Sequence, residues 1–319
     1  MQLRLIRCTL IFLAGVVCCT HLVPAQDSDG LAGLPATRTR DVVYGHKSGM
    51  ALVMDVFKPK ADGNGAAVVF VVSGGWVSDN EWLDQGFIAP FVAAPVKRGY
   101  TVFAVHHGSQ PKFTIPEIVA DVHRAVRFIR ANAKAYSIDP QRIGITGGSA
   151  GGHLSLMLGT AGDQGNAAAS DPVERESSRV QAVACLFPPT DFLHYGGEDR
   201  YAFGAGELLF SFRTAVDVRE VDSKTMRLER NEDEKAQREL ARTISPITHV
   251  SADDPPTLIV HGDADKLVPI QQAERIIDQL KKAGVTAELV TRPGRGHDFN
   301  GIEKDVETMT DWFDKHLKK

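Results

Sequence analysis

Five short apolar segments constrain the fold of this chain more strongly than any other feature of its sequence. They are residues 66–72 (AAVVFVV), 100–106, 142–146, 180–187 and 256–262. Segments of this kind are typical of strands that are buried on both faces, as in a parallel sheet. The chain is therefore predicted to contain a mostly parallel sheet with helices on both faces.

Amphipathic helical patterns alternate with these strands. In residues 115–133, apolar side chains recur at steps of three and four residues, which places them on one helix face. Residues 269–284 begin with proline and end with glycine, as helices commonly do, and residues 301–319 are predicted as a last helix. This order of strands and helices implies right-handed crossovers.

Three further strands and one insertion complete the predicted α/β fold of about eight strands. Residues 41–46 and 51–59 are separated by a KSG turn and are predicted to pair as an antiparallel hairpin, and residues 286–293 form the last strand. Residues 192–243 are too long for a simple crossover, being glycine-rich and aromatic at first and strongly charged later. We interpret them as an inserted helical cap; the alternative is a solvated surface helix.

The first 25 residues resemble a secretory signal peptide. Arg4 and Arg7 precede an apolar run that is short for a membrane span, and a small residue, Ala25, marks the expected cleavage site. A membrane anchor is the alternative. We therefore expect a secreted or periplasmic protein with a flexible leader over residues 26–40 and one domain over residues 41–319.

Composition excludes several other functions. Cleavage would leave Cys185 as the one cysteine out of four, so no internal disulfide would form. It would also change the net charge from −4 to −6, since two arginines are lost with the leader. An acidic chain without basic blocks is unsuited to bind nucleic acid or an anionic membrane. No cluster has the spacing of metal ligands, and neither a metal nor a cofactor is predicted.

One motif points directly to chemistry. Residues 144–154 read GITGGSAGGHL, in which Gly147, Ser149 and Gly151 form G-x-S-x-G between a predicted strand and a predicted helix. Glycines are needed in so tight a turn, which exposes the serine oxygen at the edge of the sheet as a nucleophile. A phosphate-binding loop is disfavoured because no lysine follows. His153 is expected to support the turn by packing or hydrogen bonding.

A nucleophilic serine needs a base, and the base needs an acid that orients it. Two aspartates, Asp263 and Asp265, follow the strand that ends at residue 262, and His297 follows the last strand. This order of serine, acid and histidine fits the turn described above. We prefer Asp265 as the acid, because Asp263 directly follows the strand and is placed to cap the turn.

The reaction also needs N–H donors for a developing oxyanion. The backbone N–H of Ala150, directly after the nucleophile, is one, and Gly74 and Gly75 in the loop VVSGGWVS allow others. Trp76 either walls the acyl pocket or fills the core. His107, at the end of the fourth strand, is a candidate substrate contact.

Three motifs together resemble the α/β-hydrolase superfamily: GGSAGGHL, HGDADKLVP and GHDF, in this order. With MDVFKP and IDPQRIGITGGSAGGHL, the chain is similar to the secreted esterase/lipase branch, which contains feruloyl- and acetylxylan-esterase-like and hormone-sensitive-lipase-like enzymes. The resemblance covers residues 41–318 except the insertion. It implies Ser149 as nucleophile, Asp265 as acid and His297 as base.

The resemblance also implies that Gly75, Trp76 and Ala150 supply the oxyanion N–H groups. The usual His-Gly-Gly-Gly of these enzymes is Ser-Gly-Gly-Trp here, with Ser73 in place of the histidine and Trp76 in place of the third glycine. The sequence thus predicts an esterase acting on small-molecule or polysaccharide-linked esters, such as acetyl or feruloyl esters. The alternatives are a prolyl-oligopeptidase-like peptidase and a catalytically silent binding protein of the same fold.

Overall fold

The computed structural model describes residue 31 and residues 33–318, except 218, 227, 231 and 232. The predicted signal peptide, residues 1–25, lies outside the described residues. The prediction of a flexible leader over residues 26–40 is wrong at its end, because the first strand begins at Ala36. Residues 36–39 pair there with the end of the second strand, Val56–Pro59.

Eight strands form one mixed sheet, and two more form a small hairpin. In chain order the strands are β1 (Ala36–Lys47), β2 (Met50–Pro59), β3 (Ala67–Val71), β4 (Thr101–Val105), β5 (Ile143–Gly148), β6 (Ala182–Leu186), β7 (Arg219–Val221), β8 (Leu228–Arg230), β9 (Thr257–Gly262) and β10 (Ala287–Arg292). The large sheet has the order β1-β2-β4-β3-β5-β6-β9-β10. Its strands are parallel except that β2 runs antiparallel to both of its neighbours. All eight predicted strands and the N-terminal hairpin are therefore confirmed.

Helices connect the strands. They are α1 (Pro90–Lys97), α2 (Ile115–Ala131), α3 (Ala133–Tyr136), α4 (Ala150–Ala161), α5 (Glu234–Thr243), α6 (Gln271–Lys282) and α7 (Glu303–Leu317), with short 3₁₀ helices at Asn80–Asp84, Pro172–Arg175, Phe210–Val216 and Pro246–His249. None of the described helices is long and apolar enough to cross a membrane.

Two hydrophobic cores lie on opposite faces of the sheet. Successive residues of β3 alternate between them: Val69 and Val71 belong to one core, and Val68 and Phe70 to the other. The first core also contains buried residues of α2, α4 and α6, and the second contains those of α1 and α7. The sheet is thus buried on both faces, as its apolar strands require.

Two parts of the chain differ from the sequence-based prediction. Helix α1 was not predicted, because Pro90 and Pro95 lie inside it and proline usually ends a helix. Pro90 is tolerated in the first turn, where no backbone donor is needed. The insertion over residues 192–243, which we predicted as a helical cap, is only partly helical in its described residues. It contains one α-helix, α5, together with a 3₁₀ helix and the β7–β8 hairpin.

Candidate active site

Ser149 lies at a sharp turn between β5 and α4. Its φ of 54° and ψ of −120° are disfavoured for a residue with a side chain. The turn is held from both sides: the Ser149 N–H donates to Leu186 O at 3.0 Å, and the His153 N–H donates to Ser149 O at 2.9 Å. The serine is thereby fixed at the carboxyl edge of the sheet, where ligands bind in parallel α/β folds.

The two glycines of the motif are required by close packing. A Cβ atom at Gly147 would lie 2.5 Å from the backbone carbon of Gly151, and a Cβ atom at Gly151 would lie 2.6 Å from Val71 O. Both distances are shorter than any normal contact of a Cβ atom. A side chain at either position would therefore force the backbone of the turn to shift.

Ser149, His297 and Asp265 form a continuous hydrogen-bonded chain. The distance from Ser149 Oγ to His297 Nε2 is 2.8 Å, and the distance from His297 Nδ1 to Asp265 Oδ2 is 2.7 Å. The carboxylate can only accept, so Nδ1 carries the imidazole proton and Nε2 accepts from the serine hydroxyl. This is the protonation pattern that a general base needs.

The Asp265 carboxylate is buried, and both of its oxygens accept hydrogen bonds. Its Oδ1 accepts from the N–H groups of Leu267 and Val268, each at 2.9 Å, and His261 Nε2 lies 3.4 Å from its Oδ2. Burial alone would raise the pKa of Asp265, but hydrogen bonds from His261, His297 and the Val268 N–H outweigh it and hold the pKa well below 3.8. The group is therefore an anion at any working pH.

The loop between β3 and α1 forms a tight two-residue turn, Gly74–Val77. Gly75 and Trp76 both have positive φ, 54° and 59°, and paired bonds of 2.9 and 3.0 Å join Gly74 to Val77. Gln110 clamps the turn, since its side-chain amide donates to Gly75 O at 2.7 Å and its backbone N–H donates to Trp76 O at 3.1 Å.

The N–H groups of Gly75 and Trp76 donate to no acceptor in the described part of the chain. They and Ala150, the residue after the nucleophile, line the same cavity as Ser149. All three residues that we predicted for the oxyanion site are thus brought together around the serine. Donors without a protein acceptor at such a place are suited to bind a developing oxyanion.

The cavity at Ser149 has a volume of about 310 Å³. Its remaining walls are apolar, apart from the imidazole of His297, and are formed by Pro189, Leu209, Phe212, Leu267, Val268 and Phe299. Leu209 and Phe212 belong to the insertion, which therefore contributes to the site. A second cavity of about 100 Å³, with Trp82, Phe87 and Phe91 among its walls, shares Gly74 and Phe299 with the first.

Other predicted positions lie elsewhere. His107, the candidate substrate contact, does not line the cavity; it is buried, and burial lowers its pKa to about 4. Asp263 is exposed and accepts from the Gly294 N–H at 2.7 Å. In the described residues, no group of three or more His, Cys, Asp or Glu side chains is arranged to hold a metal ion.

Trp76 lines the cavity, as one of its two predicted roles requires, but the sequence analysis did not identify most of the apolar residues around it. Phe299 is two residues beyond His297 in the GHDF motif, and its place beside the base was a usable signal. Leu209 and Phe212 had no such signal, because only the tertiary structure brings them to the cavity at Ser149, and the same holds for the contact of Gln110 with Gly75.

Comparison with known proteins identifies the family of the chain. A model of the BD-FAE family matches residues 54–280. The chain belongs to the BD-FAE family. This family is part of the α/β-hydrolase superfamily, so the resemblance drawn from the motifs is confirmed.

Several proteins to which the chain is similar are named as esterases. The chain is 31% identical over 261 residues to LipM, a probable carboxylic ester hydrolase of Mycobacterium tuberculosis; the match covers 78% of the chain and 54% of LipM. It is similar to the structure of a truncated carbohydrate esterase from gut microbiota, with 27% identity, a TM-score of 0.72 and coverage of 93% and 99%. The structure of esterase 2 from Thermogutta terrifontis gives 25% identity, a TM-score of 0.65 and coverage of 88% and 91%.

Proposed function

We propose that this protein hydrolyses carboxylic esters through a covalent acyl-enzyme. The observation that carries the proposal is the hydrogen-bonded chain of Ser149, His297 and Asp265 at the edge of an apolar cavity. The similarity of the chain to proteins named as esterases supports the same reaction class.

The chemistry follows from the geometry. Ser149 Oγ attacks the ester carbonyl carbon while its proton passes to His297 Nε2, and Asp265 stabilises the imidazolium. The oxyanion is stabilised by the N–H groups of Gly75, Trp76 and Ala150. The C–O bond to the alcohol then breaks, and the alcohol leaves with the proton from His297. Water then attacks the acyl carbon while its proton passes to His297 Nε2. The bond to Ser149 Oγ breaks, the serine takes back the proton from His297, and the carboxylic acid leaves.

Acetyl or feruloyl esters of polysaccharides are the proposed substrate class. The similarity to a carbohydrate esterase supports it, and so does the apolar character of the cavity, which suits an acyl group. A polymeric substrate lies outside the cell, so we also propose that residues 1–25 direct export. Export is tested by fractionating cells that express the chain with and without residues 1–25.

The test is a set of initial rates on p-nitrophenyl acetate, butyrate and octanoate, methyl ferulate, acetylated xylan and an aminoacyl anilide. We expect ester cleavage by the wild type, and a fall of about 10⁴-fold or more for Ser149→Ala. The exposed Ser170 provides the control, since Ser170→Ala removes a hydroxyl outside the site. Cleavage of the anilide alone would support a peptidase. A wild type that is inactive on all substrates, or a Ser149→Ala variant as fast as wild type, would support a binding protein instead.

A further inference from the structure

We propose that His153 is a positioning residue for the oxyanion site: it fixes the Gly74–Val77 turn to the nucleophile helix through the indole of Trp76. The inference rests on the proposed ester hydrolysis and extends it. His153 does not line the cavity, and the hydrogen bond from Trp76 Nε1 to its Nδ1 is the contact that joins its side chain to the oxyanion turn.

The hydrogen bonds of His153 define its tautomer. Its Nε2 lies 2.7 Å from Ile244 O, and a carbonyl oxygen can only accept, so Nε2 carries the proton. Its Nδ1 lies 3.1 Å from Trp76 Nε1, which can only donate. The ring therefore accepts from Trp76 and donates to Ile244. Burial lowers the pKa of His153 to about 4, which keeps the ring neutral, as this arrangement requires.

The linkage joins the two halves of the oxyanion site. Trp76 carries one candidate donor N–H, whereas Ala150 carries another and belongs with His153 to the first turn of α4. Trp76 has a φ of 59°, which an ordinary L-residue adopts only when its surroundings hold it there. The bond to His153 ties that strained residue to the helix that begins directly after Ser149.

Packing around the indole supports the same role. Trp76 is only 2% exposed, and the rings of His153, Phe192, Phe203 and Phe212 surround it at centroid distances of 5.6 to 6.1 Å. These rings restrict where the indole can lie. The Nε1–H is its one polar group, and His153 Nδ1 is the acceptor that satisfies it. Without that acceptor, a buried donor would be left unpaired.

Two amide substitutions separate the two bonds of His153. In His153→Asn, the amide oxygen takes the place of Nδ1 and can still accept from Trp76, but no group reaches Ile244. In His153→Gln, the amide nitrogen takes the place of Nε2 and can still donate to Ile244, but the acceptor near Trp76 is lost. The two variants therefore distinguish two roles of His153: holding the Gly74–Val77 turn through Trp76, and holding the segment after α5 through Ile244.

We expect kcat to fall about 100-fold in His153→Gln with little change in KM, because misplacing an oxyanion donor slows the chemical step. His153→Asn should retain kcat within about fivefold, since the bond to Trp76 is kept. Trp76→Phe keeps the backbone N–H but removes the indole N–H that donates to His153. Trp76→Phe combined with His153→Gln should therefore be no slower than the slower of the two single variants. The indole N–H signal of Trp76, assigned by its loss in Trp76→Phe, should shift in His153→Gln and stay in place in His153→Asn.

The inference is overturned if His153→Asn and His153→Gln lose activity equally, if the loss is in KM, or if the double variant shows additive losses. When a variant is too unstable for kinetics, an indole signal that shifts equally in His153→Asn and His153→Gln also overturns it. Wild type and Ser149→Ala are assayed beside these variants. Failure of the ester-hydrolysis proposal would appear there as an inactive wild type, and an active wild type with equal His153 variants would refute the positioning role alone.

Discussion

Asp263 and Asp265 are two residues apart on one loop, yet their carboxylates have different partners. Asp265 Oδ2 accepts from His297 Nδ1 at 2.7 Å, whereas Asp263 Oδ1 accepts from the backbone N–H of Gly294 at 2.7 Å. Asp265 is buried and Asp263 is exposed. Asp265 therefore orients the base, His297, whereas Asp263 binds the backbone of the segment that precedes His297.

The first prediction follows from this difference. Asp265→Asn should lower kcat about 10⁴-fold, because an amide favours the wrong tautomer of His297 and cannot stabilise an imidazolium. Asp263→Asn is the matched control; it keeps an oxygen that can accept from Gly294 and should retain activity within a few fold. Steady-state kinetics on p-nitrophenyl acetate decide the matter, and equal losses in the two variants would contradict the assignment of Asp265.

The second prediction concerns the glycines of the turn. Gly147→Ala should cost about 3 kcal/mol or more in the free energy of unfolding, because its Cβ would lie 2.5 Å from the backbone carbon of Gly151 and would force β5 and α4 apart. Gly63→Ala, where no atom lies within 4 Å of the new Cβ, should change stability by no more than about 0.5 kcal/mol. Urea unfolding measures both. Similar stabilities for the two variants would show that the turn tolerates a side chain.

The third prediction concerns the length of the acyl group. Phe299 lines both the cavity at Ser149 and its smaller neighbour, so Phe299→Ala removes a wall between them. The ratio of kcat/KM for octanoate to that for acetate should rise about tenfold or more, because the joined cavity can bury additional methylene groups. Phe87→Ala, which touches only the smaller cavity, should alter this ratio far less. An unchanged profile in Phe299→Ala would mean that the acyl chain lies elsewhere.

The five inner parallel strands were predictable because each lies in a short, largely apolar segment, a pattern that a buried parallel strand needs. The N-terminal hairpin was predictable from its KSG turn. Helix α1 was missed because local rules treat Pro95 as a helix end, whereas packing on the sheet overrides that rule here. The sequence predicts a helical cap over residues 192–243, and its charged end does form a helix, α5. The structure also places β8, Leu228–Arg230, ahead of α5, and short strands of this kind carry little periodic signal.

At the site, the residues that sequence analysis identified lie at the carboxyl end of a strand or in the loop that follows it. Ser149, Asp265 and His297 each occupy such a position, so the fold alone brings them to one edge. The contact of Trp76 with His153 spans 77 residues of sequence and depends on how a loop packs on a helix. No spacing rule encodes a contact of that kind.

The last prediction is a loss of stability between pH 6.5 and pH 4, caused by buried histidines. Burial lowers the pKa of His106, His107, His123 and His153 to about 4 in each case. Unfolded histidine titrates near 6.5, so below that pH the unfolded chain binds protons that the folded chain does not. The stabilisation is therefore complete above about pH 6.5, and at pH 5 the loss is about 2 kcal/mol for each histidine.

Urea unfolding at pH 7.5 and pH 5.0 measures this loss, and a single variant shows its source. His123 lies outside the cavity, with its Nδ1 2.8 Å from Ser178 Oγ. His123→Gln should reduce the difference in unfolding free energy between the two pH values by about 2 kcal/mol, because one titrating group is removed. The same substitution at the exposed His46 should leave the difference unaltered. The pKa of Asp265 lies well below 3.8 in the folded chain, and an unfolded aspartate titrates near 3.9, so this carboxylate is ionised in both states between pH 5.0 and pH 7.5 and adds almost nothing to the difference. Equal stability at both pH values would mean that the buried imidazoles accept protons in the folded state, and the same result would remove the argument that burial keeps His153 neutral.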